Sequence, residues 1–443
     1  MAMKVREREL QVLHPNAAGI DVGSRSHFVA VPAHRSDQPV REFGCFTEDL
    51  QSIGDWLTEC GVEVVAMEST GVYWIALHEV LEARGFIVHL VNARHVKNVS
   101  GRKSDVIDCQ WLQQLMSFGL LAGAFRPAEQ ICALRAVSRQ RDNLIREQAR
   151  QVQRMQKALT QMNLQLANVI SDIAGQTGLA IIRSIVAGER DPQRLAQHRN
   201  YRVRANEEQI ARSLCGTWRE EHVFCLSQAL TLFDTYQTLI AQSDERLQGM
   251  LITLQRLESD LPAQKKKGRG KHAPQFDART ALYRWSGVDL TRIGGIDVST
   301  ALKILVEIGW DLSKFKSVKH FASWLGLCPG TRITGGKKIS GTTQRLPNRV
   351  SQALKLAAQG LHRSQCALGA YYRRMAARLG AGKAITATAH KLARLVYAML
   401  TKGEEFVERT EAQYEAQFRE RTVRHLQRKA ASMGFRLEPS TAV

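Results

Sequence analysis

The chain lacks any apolar run approaching the ~20 residues that a bilayer crossing requires, so no membrane span is expected. Its opening residues, Met1 to Leu10, contain no hydrophobic signal core. Eight cysteines are scattered singly with no Cys-x-x-Cys pair, which excludes a zinc knuckle and a disulfide framework. These absences point to a cytoplasmic protein in a reducing compartment. Acidic residues are also in short supply: 42 Asp and Glu face 62 Lys and Arg, a formal net charge of +20. Such an excess marks a polyanion partner, because Lys and Arg neutralise phosphates. With 443 residues and 44% hydrophobic content, two or three globular domains are expected rather than disorder.

The most informative stretch is Lys103 to Trp111. Ser104 is a good helix N-cap, and Ile107, Leu112, Leu115 and Met116 then recur at helical spacing up to Gly119. Asp105 and Asp108 are three apart, so both carboxylates leave one face near the helix start. They repel each other, and a cation between them would remove the repulsion. Asp21 and Glu68 each end an apolar run that reads as a strand. Four hard oxygen ligands of this kind suit magnesium. Two ions ~3.5–4 Å apart could activate a nucleophile and stabilise a leaving oxygen. Cys109, beside them, reads as a buried helix thiol.

In chain order, residues 1 to 16 are a charged lead-in. Strands are expected at Ala18 to Gly23, His27 to Pro32 and Val40 to Phe46, then a helix capped by Thr47. A strand from Val62 to Met67, a helix from Trp74 to Leu81 and a strand from Phe86 to Val91 precede the Asp105 helix. Three successive strands suit an antiparallel meander, and the later alternation suits parallel βαβ units. This order resembles the ribonuclease H-like fold of the Holliday-junction resolvase RuvC. Its four acids lie at the element positions held here by Asp21, Glu68, Asp105 and Asp108.

Beyond Cys132, Val152, Met155, Leu159, Met162, Leu166, Val169 and Ile173 form a seam of three- and four-residue steps, as in a coiled coil. A second seam runs through Leu230, Phe233, Ile240, Leu247, Leu251 and Leu254. Both a hairpin packed on itself and a dimer fit this pattern, and shorter helices are expected between the seams. Residues 262 to 280 are a basic linker whose Lys265, Lys266, Lys267, Arg269 and Lys271 suit phosphate contact. Leu290 to Gly309 looks like a helix-hairpin-helix element turning at Gly294 and Gly295, with amides that could hold a phosphate. Leu327 to Arg345 reads as a long polar loop, and Asn348 to Leu379 as one long basic helix. The domain boundaries expected are 17–127, 128–261, 281–408 and a polar helical tail over 409–443. The fold class is thus multidomain, an α/β N-terminal domain followed by helical regions.

The arrangement is similar to the transposases of the insertion-sequence 110 family, most closely its 1111 subgroup. The resemblance spans about 17 to 405 and rests on Gly19 to Gly23, Met67 to Tyr73, Asp105 to Asp108 and Gly326 to Arg332. It implies a DNA recombinase guided by a structured non-coding RNA, called a bridge or seeker RNA, that pairs with donor and target DNA. It implies dimers that assemble into a tetramer, and a nucleoid-associated protein when active. It also implies a composite site in which the four acids hold magnesium and a C-terminal serine attacks the DNA phosphate. Here Thr334, before Gly335, holds the serine's place, and its extra methyl crowds attack. Ser340, before Gly341, is the alternative. Lys103, Arg332, Lys337, Lys338, Arg345 and Arg349 complete the expected nucleic-acid contacts.

Rival readings need less of the chain. A RuvC-like junction nuclease uses the four acids with a water nucleophile, and an acid-triad transposase uses a DNA 3′-hydroxyl. A non-catalytic scaffold is disfavoured, because carboxylates at a phosphate-binding surface cost affinity without a metal.

Overall fold

The computed structural model describes residues 11–69, 71–91, 105–121, 123–259, 261, 270, 272–343, 346 and 348–438. The chain forms two compact units, Met1–Arg126 and Pro127–Val443. In the first, β1 (Ala17–Val22), β2 (Ser26–Ala30) and β3 (Val40–Gly44) precede α1 (Thr47–Glu59), β4 (Val64–Glu68), α2 (Trp74–Ala83), β5 (Ile87–Val91) and α3 (Asp105–Ser117). The sheet order is β3-β2-β1-β4-β5. β1, β2 and β3 pair antiparallel, whereas β1–β4 and β4–β5 pair parallel. The meander and the βαβ alternation both stand.

Strand side chains alternate between two faces. Ala18, Ile20, Val22, Val65 and Met67 pack with Ile53 and Leu57 of α1 and Leu77 and Leu81 of α2. Ala17, Val64 and Ala66 face the other way and pack with Met116 of α3. Thr47 is the first helical residue of α1 rather than its cap. The Phe46 amide instead donates to the Asp49 carboxylate at 3.0 Å, so the acid one turn in secures the helix start.

The second unit is mainly helical. α4 (Glu129–Gln161) and α8 (Glu220–Thr253) form a hairpin around α5 (Gln176–Val186), α6 (Pro192–Ala196) and α7 (Glu207–Ser213). The hairpin is antiparallel: Arg141 pairs with Asp244, and Gln148 donates to the Phe233 carbonyl nearer the tip. The seam expected to run through Ile173 leaves the helix at Gln161. Asn163 takes a left-handed φ of 54°, which ends the helix. Met162, Leu166 and Ile173 then turn into the core shared with α5, α7 and α8.

After the linker come α9 (Ala278–Ser286), α10 (Val298–Ile308), α11 (Val318–Trp324), β6 (Arg332–Thr334), β7 (Lys337–Ser340), α12 (Arg349–Gly360), α13 (Ala367–Leu379), α14 (Ala381–Lys402) and α15 (Glu404–Ser432). The stretch expected as a polar loop therefore contains a β-hairpin. The single helix expected from Asn348 to Leu379 is broken by a 3-10 turn at Leu361–Arg363. Leu361 packs over Gly295, and Arg373 donates to the freed carbonyls of His362 and Ser364. Among the described residues no helix is long and apolar enough to cross a membrane.

Candidate active site

The four acids come from three elements of the first unit. The parallel β1–β4 ladder pairs Gly19 with Ala66 and Ile20 with Met67, so one further step sets Asp21 beside Glu68. Ala17, Gly19 and Asp21 share a face by alternation, as do Val64, Ala66 and Glu68. α3 lies on that face so closely that an added Cβ on Gly19 would sit 2.3 Å from the Cys109 carbonyl and from the Gln113 amide. Glycine lets the helix backbone touch the strand. Two residues further along β1, Asp21 then meets the first turn of α3, which carries Asp105 and Asp108. Ser69 fixes the end of β4, because its amide and hydroxyl both donate to the Val91 carbonyl, at 3.0 and 3.1 Å.

Electrostatics report the same convergence. Burial first, and then the negative charges of Glu68, Asp105 and Asp108, push the Asp21 carboxyl up to about 6. Asp21, Glu68 and Asp108 are half-buried and Asp105 is exposed, so the cluster opens to solvent on the helix side. Cys109 is fully buried and donates to the Val106 carbonyl. Burial is the main reason its thiol is pushed up to about 12, which leaves an inert packing group. Among the described residues no three His, Cys, Asp or Glu side chains close around a point where a metal ion could sit. The donor set nonetheless suits a hard cation: four carboxylates approach, and burial and like charge both disfavour the ionised form of Asp21.

Gly19 is the residue whose role the sequence pattern did not state. Its signal was a glycine inside an otherwise apolar strand, which marks close backbone approach.

Thr334 lies in the second unit at the tip of the β6–β7 hairpin, in register with Lys337. Gly335 and Gly336 form the two-residue turn with φ of 55° and 75°, the left-handed pair that such tight hairpins require. Thr334 and Lys337 are both exposed. Ser340 is three residues into the returning strand, paired along the backbone with Arg332. For Arg332, Lys338 and Ser340 the structure describes the backbone only. Lys103, Lys265, Lys266, Lys267, Arg269, Lys271 and Arg345 lie outside the described residues. Arg349 opens α12 and stands 3.9 Å from Asp142, which also holds Lys303 at 3.2 Å.

The glycines of the expected helix-hairpin-helix have a packing role. Cys366 and Leu361 cover Gly294 and Gly295. Asp297 caps α10 by accepting from the Thr300 amide at 2.7 Å, so a carboxylate occupies the place considered for a phosphate.

Two family models match the chain. Residues 18–164, which include all four acids, match the DEDD model of IS110 elements, described as a transposase. Residues 287–373, which include the hairpin, match a model described as the transposase IS116/IS110/IS902 family. Together they cover just over half of the chain. No curated protein matches it.

Proposed function

We infer that this chain, which belongs to the IS110 family of transposases, cuts and rejoins DNA with the chemistry of its four acids and a hairpin hydroxyl. The observation that carries the reading is the approach of Glu68, Asp105 and Asp108 to Asp21, whose carboxyl is pushed up to about 6 by burial and then by those three charges. A structural role would not favour such an arrangement, since mutual repulsion and burial both cost stability. A divalent cation turns both costs into binding.

Asp21, Glu68, Asp105 and Asp108 would hold magnesium, which supplies Lewis-acid stabilisation of charge on phosphate oxygens. The protein's own share is to fix the carboxylates on a rigid strand pair and one helix turn. The Thr334 hydroxyl would attack phosphorus: a Thr–O–P bond forms, one bridging P–O bond breaks, and the hydroxyl proton ends on the departing sugar oxygen. The reverse attack by a different strand end would release Thr334 and exchange the strands. Lys337, opposite Thr334 in register, can offset charge on the attacked phosphate. The open Gly335–Gly336 turn leaves room for a phosphodiester backbone. Guidance by a structured RNA, and dimers pairing into tetramers, extend the family resemblance to this chain. The charge of +20 supports a polyanion partner.

Covalent trapping tests the reading. With DNA carrying the element's ends, Asp105→Asn should lose strand cleavage at least ~100-fold while binding changes little, by analogy with losing one electrostatic stabiliser. Thr334→Ala should abolish the protein–DNA adduct, and Thr334→Ser should keep or raise activity because the crowding methyl is gone. Peptide mapping of the adduct to Ser340, or full activity of Thr334→Ala, would move the nucleophile. Cleavage without any adduct would favour a water nucleophile.

A further inference from the structure

From Leu312 to Gly403 the chain contains no acidic residue, yet it carries seventeen Lys and Arg. This fifth of the chain therefore holds +17 of the net +20, and everything else is close to neutral. Helical surfaces ordinarily interleave both signs, which gives stabilising pairs three and four residues apart. Along α13 and α14 no such pair can form within the helix. α13 presents Arg373, Arg374 and Arg378, and α14 presents Lys383, Lys391, Arg394 and Lys402.

The described second half of α15 adds to this surface. Arg421, Arg424 and Arg428 recur three and four residues apart on one face, and Glu420 is already paired with Arg424. α13 and α15 enclose a cleft of about 290 Å³ lined by Arg374, Met375, Arg378, Gln417, Phe418 and Arg421. Among the described residues, three guanidinium groups line it and no acid does. The Arg374 guanidinium lies 4.4 Å from the centre of the Phe418 ring and 5.6 Å from that of Tyr371. Lys391 lies 4.9 Å from the Tyr371 ring. Aromatic faces hold such cations in place. Arg373 is spent elsewhere, on the carbonyls of His362 and Ser364.

We propose that the α13–α15 cleft seats the phosphodiester backbone of a nucleic acid, with Arg378 and Arg421 as its phosphate ligands. Planar guanidinium forks match phosphate oxygens, and Arg378 and Arg421 face one cleft from two helices. The proposal deepens the transposase reading and rests on it for the partner class. It assigns to the C-terminal helix, which the family models do not cover, a share in binding.

The test uses the full chain and two labelled probes of equal length, a single-stranded RNA and a duplex DNA. Anisotropy titrations over a range of salt give affinity and the slope of log K against log salt. Arg378→Gln/Arg421→Gln should weaken binding of at least one probe about tenfold and reduce the slope by ~1.5–2, the value for two lost phosphate contacts. Arg421→Gln alone should give about half that slope change. A control pair, Arg150→Gln/Arg194→Gln, removes two exposed cations elsewhere and should change affinity about twofold or less. Loss on RNA alone assigns the cleft to RNA, loss on DNA alone to DNA, and loss on both to the shared backbone. A cleft variant that melts normally and binds like the control overturns the proposal while leaving the transposase reading intact. Failure of the unaltered chain to bind either probe would instead remove the transposase reading's partner.

Discussion

Asp21 is the residue at which stability and function pull apart. Its carboxyl ionises near 6 in the folded chain, against about 4 in an unfolded one. A raised folded-state value favours folding below pH ~4, and that contribution is lost as pH rises through ~6. At pH 7.5 without divalent metal, Asp21 should therefore cost stability. The shift itself would convert to about 3 kcal/mol, which solvent access to a half-buried group reduces to about 1–2 kcal/mol. Asp21→Asn should raise the melting temperature at pH 7.5 in chelator, with no gain below pH 4. Magnesium should stabilise the unaltered chain at pH 7.5 and leave Asp21→Asn unchanged. Thermal melts at the two pH values, with and without magnesium, check this. Equal magnesium stabilisation of both proteins would show that the metal binds elsewhere. The position of each acid was legible in the sequence, because each ends an apolar run or starts a helix. The register that sets Asp21 beside Glu68 was not, since strand pairing is a long-range choice that no local pattern records.

Elements were legible where apolar periodicity was strong and obscure where polar residues carried the fold. N-terminal strands such as β1 and β4 follow from buried runs, Val64 to Met67 among them. The β6–β7 hairpin did not, because Arg332 to Ser340 exposes even its Ile333 and Ile339. Its one clear mark was the Gly335–Gly336 turn between short alternating stretches. The seam through Ile173 misled for the opposite reason: core residues kept the helical spacing after the helix had stopped at Gln161. The contact of α3 with β1 is where element packing most directly serves the site. Gly19→Ala would drive a methyl to 2.3 Å from backbone of α3, and backbone cannot swing aside as a side chain does. The helix must lift, carrying Asp105 and Asp108 away from Asp21. Gly19→Ala should therefore lower cleavage ~100-fold or more, in keeping with the cost of ångström-scale misplacement. It should also return the Asp21 carboxyl toward the ordinary range, since burial of Asp21 and the charges of Asp105 and Asp108 both diminish as α3 recedes. Carbon-13 NMR titration of the aspartates would report that change, and an unshifted Asp21 with full cleavage would remove Gly19 from this role.

At the scale of the whole chain, the sequence marked a basic tether near 262 to 280 but not what receives its C-terminal end. Two buried charges do so. Arg141 of α4 and Asp244 of α8 form an ion pair at 2.6 Å, both nearly excluded from solvent. Arg141 also donates to the His272 carbonyl at 3.1 Å, and Asp244 accepts from the Gln275 amide at 3.2 Å. The pair thus fastens the returning chain to the helical hairpin. Sequence could not reveal this, because the partners are 103 residues apart and each alone reads as a solvated charge. Removing one partner leaves the other buried and uncompensated, which typically costs ~3–5 kcal/mol. Asp244→Ala should lower the stability of the second unit by about that amount, read as a reduced urea midpoint in far-ultraviolet circular dichroism. Arg141→Met/Asp244→Leu should recover most of the loss, because apolar replacements leave no buried charge. The double variant would still lack the hydrogen bonds to His272 and Gln275. If the tether is fastened for function rather than for stability alone, it should fold well yet bind nucleic acid more weakly than the unaltered chain. Full binding by that double variant would reduce the pair to a packing device, and an Asp244→Ala cost below ~1 kcal/mol would deny it even that.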